Sequence, residues 1–184
     1  DGTIVAVQNN GQQYTGDQYI LADGAWSDTH ISIPLRPVKG QYLILAPKIP
    51  SPPLINCVIR TPDVYLIPRD NGRIYVGSTM EEEDFDPRQT VGATLDFLYH
   101  AFQVLPGVYE LVVEHSGCGF RPALRDNQPL IGPGPLGNLW LNIGHYRHGV
   151  MLAPAAARLL GDALLENSPI PEDFGWARFT STRT

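Results

Sequence analysis

The sequence predicts an α+β fold: an antiparallel β-sheet covered by one helix, followed by further strands and a second helix. Three observations carry this. The 184 residues include 18 Gly and 17 Pro, and 17% are charged, so the backbone turns often between short elements. Four β-prone runs follow one another between Gln41 and Gly77, the last two joined through Asp70-Asn71-Gly72, whose Asn-Gly pair favours the positive φ angles of a hairpin. Two stretches, one after Thr90 and one after Gly149, carry apolar residues at helical spacing.

In chain order, Thr3–Val7 and Gln18–Ala22 are short strand candidates separated by the turn formers Asn9-Asn10-Gly11 and Gly16-Asp17, which reads as a hairpin or meander. Leu21-Ala22-Asp23-Gly24-Ala25-Trp26-Ser27 ends a strand in small residues, which let another backbone or a ligand approach closely. Pro34 and Pro37 mark entry into a new lobe. Gln41–Leu45, Asn56–Arg60, Val64–Pro68 and Arg73–Gly77 are the sheet candidates. Thr90 is the expected N-cap of a helix whose inner face is Leu95, Leu98, Phe102 and Leu105, stopped by Pro106-Gly107. Glu110–Glu114, Pro129–Ile131 and Asn138–Asn142 read as strands. Met151, Leu152, Ala155, Ala156, Leu159, Leu160, Ala163 and Leu164 form a broad apolar face, so the second helix is expected to be largely buried, with Pro154 tolerable only near its start. From Glu166 periodicity is lost and a surface tail is expected.

Composition limits the function classes. The length suffices for one ample core or two small lobes. A net charge of -6, with no run of Lys and Arg, offers no footprint for a phosphate backbone, so nucleic acid is not an expected partner. Cys57 and Cys118 lack metal-ligand spacing, and apolar burial is the expectation for both. The longest apolar run falls short of the ~20 residues that span a bilayer. The chain opens on Asp1 rather than Met and runs directly into a strand pattern, so its native N-terminus is expected upstream.

Gly132-Pro133-Gly134-Pro135-Leu136-Gly137 matches the dinucleotide pattern G-x-G-x-x-G only formally. A strand follows where a helix is required, and two prolines remove N–H groups that would serve a phosphate, so a turn is expected. The acidic run Glu81-Glu82-Glu83-Asp84 with Asp86 reads as a solvated loop, and no metal site is expected.

Two arginines stand in glycine-bounded motifs, Gly117-Cys118-Gly119-Phe120-Arg121-Pro122 and Gly144-His145-Tyr146-Arg147-His148-Gly149. Arg121 precedes proline, which favours extended backbone, and a guanidinium at a rigid strand end suits either bidentate capture of a carboxylate or a structural ion pair. Arg147 lies just before a helix start, where free N–H groups and the helix dipole favour negative charge; helix capping by His145 or His148 is the alternative. Tyr65 shares a strand face with Asp63 and Ile67 and, taken alone, reads as a core tyrosine with a satisfied hydroxyl; Met80 alone is anonymous.

Taken together, Arg36–Gln41, Val64–Arg69, Gly72–Glu81, Gly119–Pro122 and Gly144–Pro154 resemble the glycine oxidases of thiamine biosynthesis, within the D-amino-acid oxidase family of FAD-dependent oxidoreductases. Order and spacing agree from about Ile20 to Leu165. The resemblance implies a substrate lobe built on a large antiparallel sheet and an FAD-binding lobe whose N-terminal glycine-rich βαβ unit is not in this sequence. It implies the boundaries 1–30 for strands of the FAD lobe, 31–116 for the substrate lobe, 117–165 for the return to the FAD lobe and 166–184 for the tail. By motif, Arg121 would grip the substrate carboxylate, Tyr65 would hydrogen-bond to the same group, Arg147 would lie near the substrate and Met80 would bound the pocket. Gly144, His145, Tyr146, Arg147, His148, Gly149, Val150 and Met151 would line the flavin ring, with the helix start stabilising negative charge on the reduced ring. Ala22, Gly24, Ala25 and Trp26 correspond to a small-residue strand end beside FAD, although Asp23 replaces a usual small residue, and Asp63 stands where a histidine can occur.

The activity implied is oxidative deamination of glycine or a small amine to an imine or 2-oxo acid with hydrogen peroxide, with no side-chain acid or base required. The cofactor is FAD, bound in the whole protein; the expected partners are a small amino acid, the missing N-terminal half and a thiazole synthase, in the cytoplasm, with a homo-oligomer left open. The 184-residue segment alone is expected to be inactive. The alternatives are a D-amino-acid or sarcosine oxidase or dehydrogenase, and a non-catalytic anion- or partner-binding β-rich module.

Overall fold

The computed structural model describes residues 2–180, in which strands of very different length alternate with turns, several of them at positive φ. Two units emerge: Asp1–Pro37 with Arg121–Thr184, and Val38–Phe120. The sequence boundaries at 30/31 and 116/117 compare with changeovers at 37/38 and 120/121.

In the first unit, β1 (Val7–Asn9) and β2 (Gln12–Tyr14) form a hairpin turned by Asn10 and Gly11, with φ of 49° and 79°. The anticipated hairpin partner, β3 (Tyr19–Leu21), belongs to a different sheet, because the turn formers at 16–17 follow a hairpin that is already closed. A 3₁₀ turn covers Gly24–Thr29.

The second unit is the antiparallel sheet that the sequence predicts. Its strands are β4 (Leu35–Ala46), β5 (Ile59–Arg60), β6 (Tyr65–Pro68), β7 (Ile74–Gly77) and β8 (Val112–Leu124), in the order β5-β6-β7-β4-β8. Asn71 and Gly72 take φ of 60° and 74°, the turn their identities favour, and Gly72 also lies against the Ser51 carbonyl, where a Cβ would be crowded. Leu43, Leu45, Leu66, Ile74 and Val76 point from one sheet face into the core.

Helix α1 (Val91–Val104) covers that face, and the Thr90 hydroxyl caps it by accepting the Ala93 N–H at 3.1 Å. The buried stripe is Ala93, Phe97 and Ala101, with Leu98 and Leu105 partly buried. Leu95 and Phe102, expected inward, are exposed at 65% and 42%. Small Ala93 and Ala101 allow the helix to approach the sheet closely around one large ring, Phe97, which rotates the buried stripe away from the larger leucines.

After β8 the first unit resumes with β9 (Leu130–Pro133), β10 (Leu139–Ile143) and α2 (Gly149–Glu166). The sheet order is β3-β10-β9, with β3 parallel and β9 antiparallel to β10. The loop from Pro133 to Gly137 turns β9 into β10, so the G-x-G-x-x-G match ends in a strand as the prolines predict. Ala156 and Leu160 of α2 pack on Ile131, but the helix is not largely buried: Val150, Met151 and Leu165 are exposed, because only one face meets the sheet.

The stretch from Glu166 is more ordered than a tail. Asn167 ends α2 in the left-handed conformation, and α3 (Ala177–Thr180) follows. Trp176 and Phe179 pack against Leu124, Leu130 and Leu141, and Arg178 donates to Asp126 at 2.9 Å. Residues 181–184 of the expected tail lie outside the described residues. Cys57 is exposed and Cys118 half-buried rather than packed in a core; Cys57 falls in the irregular Pro-rich connection before β5. No helix among the described residues is long and apolar enough to cross a membrane.

Candidate functional site

In the first unit, the parallel pairing of β3 with β10 decides what comes together. Leu139 opposes Tyr19 and Leu141 opposes Leu21, so both strands deliver their C-terminal ends to the same end of the sheet. Ala22–Trp26 follows one strand and Gly144–Gly149 follows the other. Carboxyl ends of parallel strands are where α/β sheets bind ligands, because the chain leaves the ladder there with free backbone groups.

The Gly144–Gly149 turn is fixed by close packing. Gly144 has φ of 75°, and the Leu124 side chain occupies the space a Cβ would need, so only glycine fits. Tyr146 also takes a positive φ, 49°, and its N–H donates to the Pro122 carbonyl at 2.8 Å. Ala123 and His145 form an isolated antiparallel bridge. Within the first unit, the backbone beside Arg121 is therefore hydrogen-bonded to the backbone beside Arg147, with Arg121 half-buried on β8 and Arg147 exposed on the turn. The Leu152 N–H donates to the His148 carbonyl at 2.8 Å, starting α2 without a side-chain cap, so capping by His145 or His148 is not the role of either ring.

Around this turn lie groups without protein partners. Asn142 Oδ1 and His145 Nε2 are buried and accept or donate no hydrogen bond. Burial pushes the His145 imidazole below its ordinary value, which favours the neutral ring. Val150 and Met151, at the start of α2, are 96% and 73% exposed. Across the sheet end, Trp26 is 49% exposed, while Ala25 and Ser27 are buried and hold the segment; the Ser27 hydroxyl donates to the Gly24 carbonyl at 3.0 Å. Asp23, the departure from the family pattern, pairs with His30 at 3.1 Å. A cavity of about 1790 Å³ in this unit, among Trp140, Trp176, Phe179 and their neighbours, includes none of these motif residues.

In the second unit, Tyr65 and Met80 lie at the end of the β6–β7 hairpin. Tyr65 opposes Gly77, and its hydroxyl donates to Ser78 Oγ at 2.8 Å. Tyr65 is not a core tyrosine: Val64 and Leu66 take the core face, and Tyr65 faces the other way. There it continues a row of rings that sequence reasoning did not assemble. Tyr65 stacks near Tyr75 at 6.0 Å, Tyr75 on Tyr42 at 4.8 Å, and Tyr42 meets His115 at 5.9 Å. The signal was present, since Tyr42 and Tyr75 alternate with the core residues Leu43, Ile74 and Val76. Gly77 and Gly117 keep the row flat, as a Cβ at either would press on Tyr75 or Tyr42. Asp63 is exposed, 4.0 Å from His100 Nδ1 on α1. The acidic run is structured at its ends, with Glu81 turned inward and Asp86 clamped by Arg88, which holds the Asp86 carboxyl below the usual carboxylate range.

Comparison with known proteins gives the same assignment as the motifs. The profile of the FAD dependent oxidoreductase family (DAO) matches residues 1–163. The bifunctional protein ThiO/ThiG of Synechocystis sp. is 37% identical over 187 residues, covering 98% of this chain and 28% of that protein. The glycine oxidase of Pseudomonas aeruginosa is 36% identical over 173 residues, covering 91% of this chain and 47% of its own length. The crystal structure of glycine oxidase from Geobacillus kaustophilus superposes with a TM-score of 0.78 at 26% identity, over 97% of this chain and 49% of that one. The chain thus spans half or less of the length of these relatives. The family profile, covering most of the chain, and the paired arginine motifs agree: the chain belongs to the D-amino-acid oxidase (DAO) family of FAD-dependent oxidoreductases.

Proposed function

We propose that this chain is the substrate-holding part of an FAD-dependent amino-acid oxidase that deaminates glycine or a small amine. The observation that carries the reading is the parallel β3–β10 pair, which delivers Ala22–Trp26 and Gly144–Gly149 to one sheet end. The residues there fit a flat, electron-accepting cofactor. Gly24 and Gly144 leave backbone without side chains, the buried Asn142 Oδ1 and His145 Nε2 await partners, and Trp26, Val150 and Met151 offer exposed apolar surface.

The N–H groups at the start of α2 would hold negative charge on the ring, and His145, which burial keeps toward the neutral form, would stand beside it as a hydrogen-bonding group rather than a charge. FAD held there would supply the two-electron oxidation of the amine to the imine, with dioxygen as the final acceptor and hydrogen peroxide as its product. Water then converts the imine to the 2-oxo acid and ammonia.

This chain's own residues bind and orient. Arg121 extends from β8 beside the turn, and its planar fork is the proposed ligand of the amino-acid carboxylate. Arg147, next to Tyr146 on the turn, is proposed to add positive charge near the substrate. Tyr65 and Met80 of the second unit are proposed as further substrate contacts, a hydroxyl donor and an apolar surface. Positioning of this kind lowers a barrier without a side-chain base.

The part of the relatives' length that the chain does not span is proposed to supply the rest of the FAD site. We infer a thiazole-forming partner as consumer of the imine, supported by the bifunctional ThiO/ThiG relative, and a cytoplasmic setting. The test is expression of the complete reading frame that encodes this chain, followed by a peroxide assay with glycine, sarcosine and D-alanine. Peroxide formation with glycine is expected; no amine-dependent peroxide from a flavin-loaded protein contradicts the reading.

A further inference from the structure

Lys39 on β4 is the one fully buried charged side chain among the described residues, 2% exposed. An ammonium in such a place is costly unless it is paired and its surroundings are hydrogen-bonded. Its partner is Glu81, with Nζ 3.7 Å from Oε2. Gln41, equally buried, completes the cluster: its Nε2 donates to both Glu81 oxygens at 2.8 and 3.1 Å, and its Oε1 accepts the Thr90 N–H at 2.8 Å. The backbones of Lys39 and Glu81 exchange two hydrogen bonds, 2.9 and 3.0 Å, and the Gln41 N–H donates to Thr79 Oγ1 at 2.8 Å.

These bonds fasten every second residue of the segment after β7. Thr79 and Glu81 turn toward β4, and the alternation of extended backbone leaves Ser78 and Met80 on the other side. Ser78 Oγ receives the Tyr65 hydroxyl, and Met80 is 58% exposed. An apolar contact at Glu81 would tolerate a slip along β4; a charged pair with two directional amide bonds does not.

We propose that Lys39, Gln41 and Glu81 are positioning residues that fix Tyr65 and Met80, and so set the size of amine the protein accepts. The selectivity part rests on the oxidase reading above. None of the three touches substrate in this account; each acts through the Ser78–Met80 segment.

The experiment compares Glu81→Gln, Lys39→Leu and the double variant Lys39→Leu/Glu81→Leu, in which no lone buried charge remains and no methionine is added. Two readouts separate the claims. The chain has two methionines, Met80 and Met151, so methyl-labelled protein gives one signal from each unit. In the double variant the Met80 signal is expected to shift or broaden while Met151 stays unchanged. In flavin-loaded protein from the complete reading frame, the ratio of KM for sarcosine to KM for glycine is expected to change about tenfold, with kcat within about threefold. An unchanged Met80 signal in the folded double variant overturns the positioning claim. A moved signal with an unchanged KM ratio overturns the selectivity claim. If the unsubstituted protein oxidises no amine, the oxidase reading fails, and the Met80 signal alone then decides for or against positioning.

Discussion

The Tyr146 N–H donates to the Pro122 carbonyl at 2.8 Å, so the residue after Arg121 and the residue before Arg147 are joined by one backbone hydrogen bond. Pro122 and Tyr146, more than twenty residues apart in sequence, thus meet within the first unit.

Removing the Arg121 fork is expected to act on substrate binding. A charge-assisted contact to a carboxylate contributes about 1.5–3 kcal/mol, so Arg121→Met is expected to raise KM for glycine roughly tenfold to a hundredfold in flavin-loaded protein. Arg121→Lys keeps the charge but not the bidentate geometry and is expected to fall between. Steady-state kinetics check this; a KM for Arg121→Met within twofold of the unsubstituted protein would remove Arg121 from the substrate.

Gly144→Ala is expected to destabilise the chain by about 2–4 kcal/mol, combining a positive φ that Ala resists with overpacking against Leu124. Urea unfolding measures it. Gly24→Ala, at φ of 58° with open space around it, is expected to cost less, about 1 kcal/mol.

Thr90 caps α1 and also accepts from Gln41 Nε2 at 3.3 Å. Thr90→Ala is therefore expected to lose about 1–2 kcal/mol of stability, at the upper end for a cap because a second donor loses its acceptor. A shift in denaturant midpoint smaller than that of an exposed substitution such as Gln103→Ala would contradict the capping role.

The His145 imidazole is held below its ordinary value of 6.5 by burial. Folding thus favours the neutral ring, and this contribution is fully present above the ordinary value and lost as pH falls through the lower folded value. The stability difference between the unsubstituted chain and His145→Gln is expected to shrink between about pH 7 and pH 5. Ring-proton titration by NMR gives the same answer directly, and a midpoint above 6.5 would reverse the sign.

Most of the second unit was legible because its signals are local: the Asn71-Gly72 turn, the alternation of Leu43, Leu45, Ile74 and Val76, and the Thr90 cap. The inner face of α1 was misread for a physical reason. Helical spacing identifies apolar positions but not which of two apolar stripes is buried, and small Ala93 and Ala101 won because they let Phe97 reach the sheet. α2 was misread likewise, its apolar residues exceeding what one sheet face can cover. The motif residues were found individually, but the Pro122–Tyr146 bond, the β3–β10 pairing and the Lys39–Glu81 cluster join positions far apart in sequence, which no local pattern encodes. The row Tyr65, Tyr75, Tyr42 and His115 was hidden in the same way, across four strands.

The central claim is that the chain serves an FAD-dependent oxidation of a small amino acid. Its most direct test is an anaerobic titration with glycine of protein purified from the complete reading frame, followed by the visible absorption of bound flavin. The account predicts a yellow protein whose flavin band bleaches with glycine and returns on admitting air; a flavin that glycine, sarcosine and D-alanine all leave oxidised would contradict it.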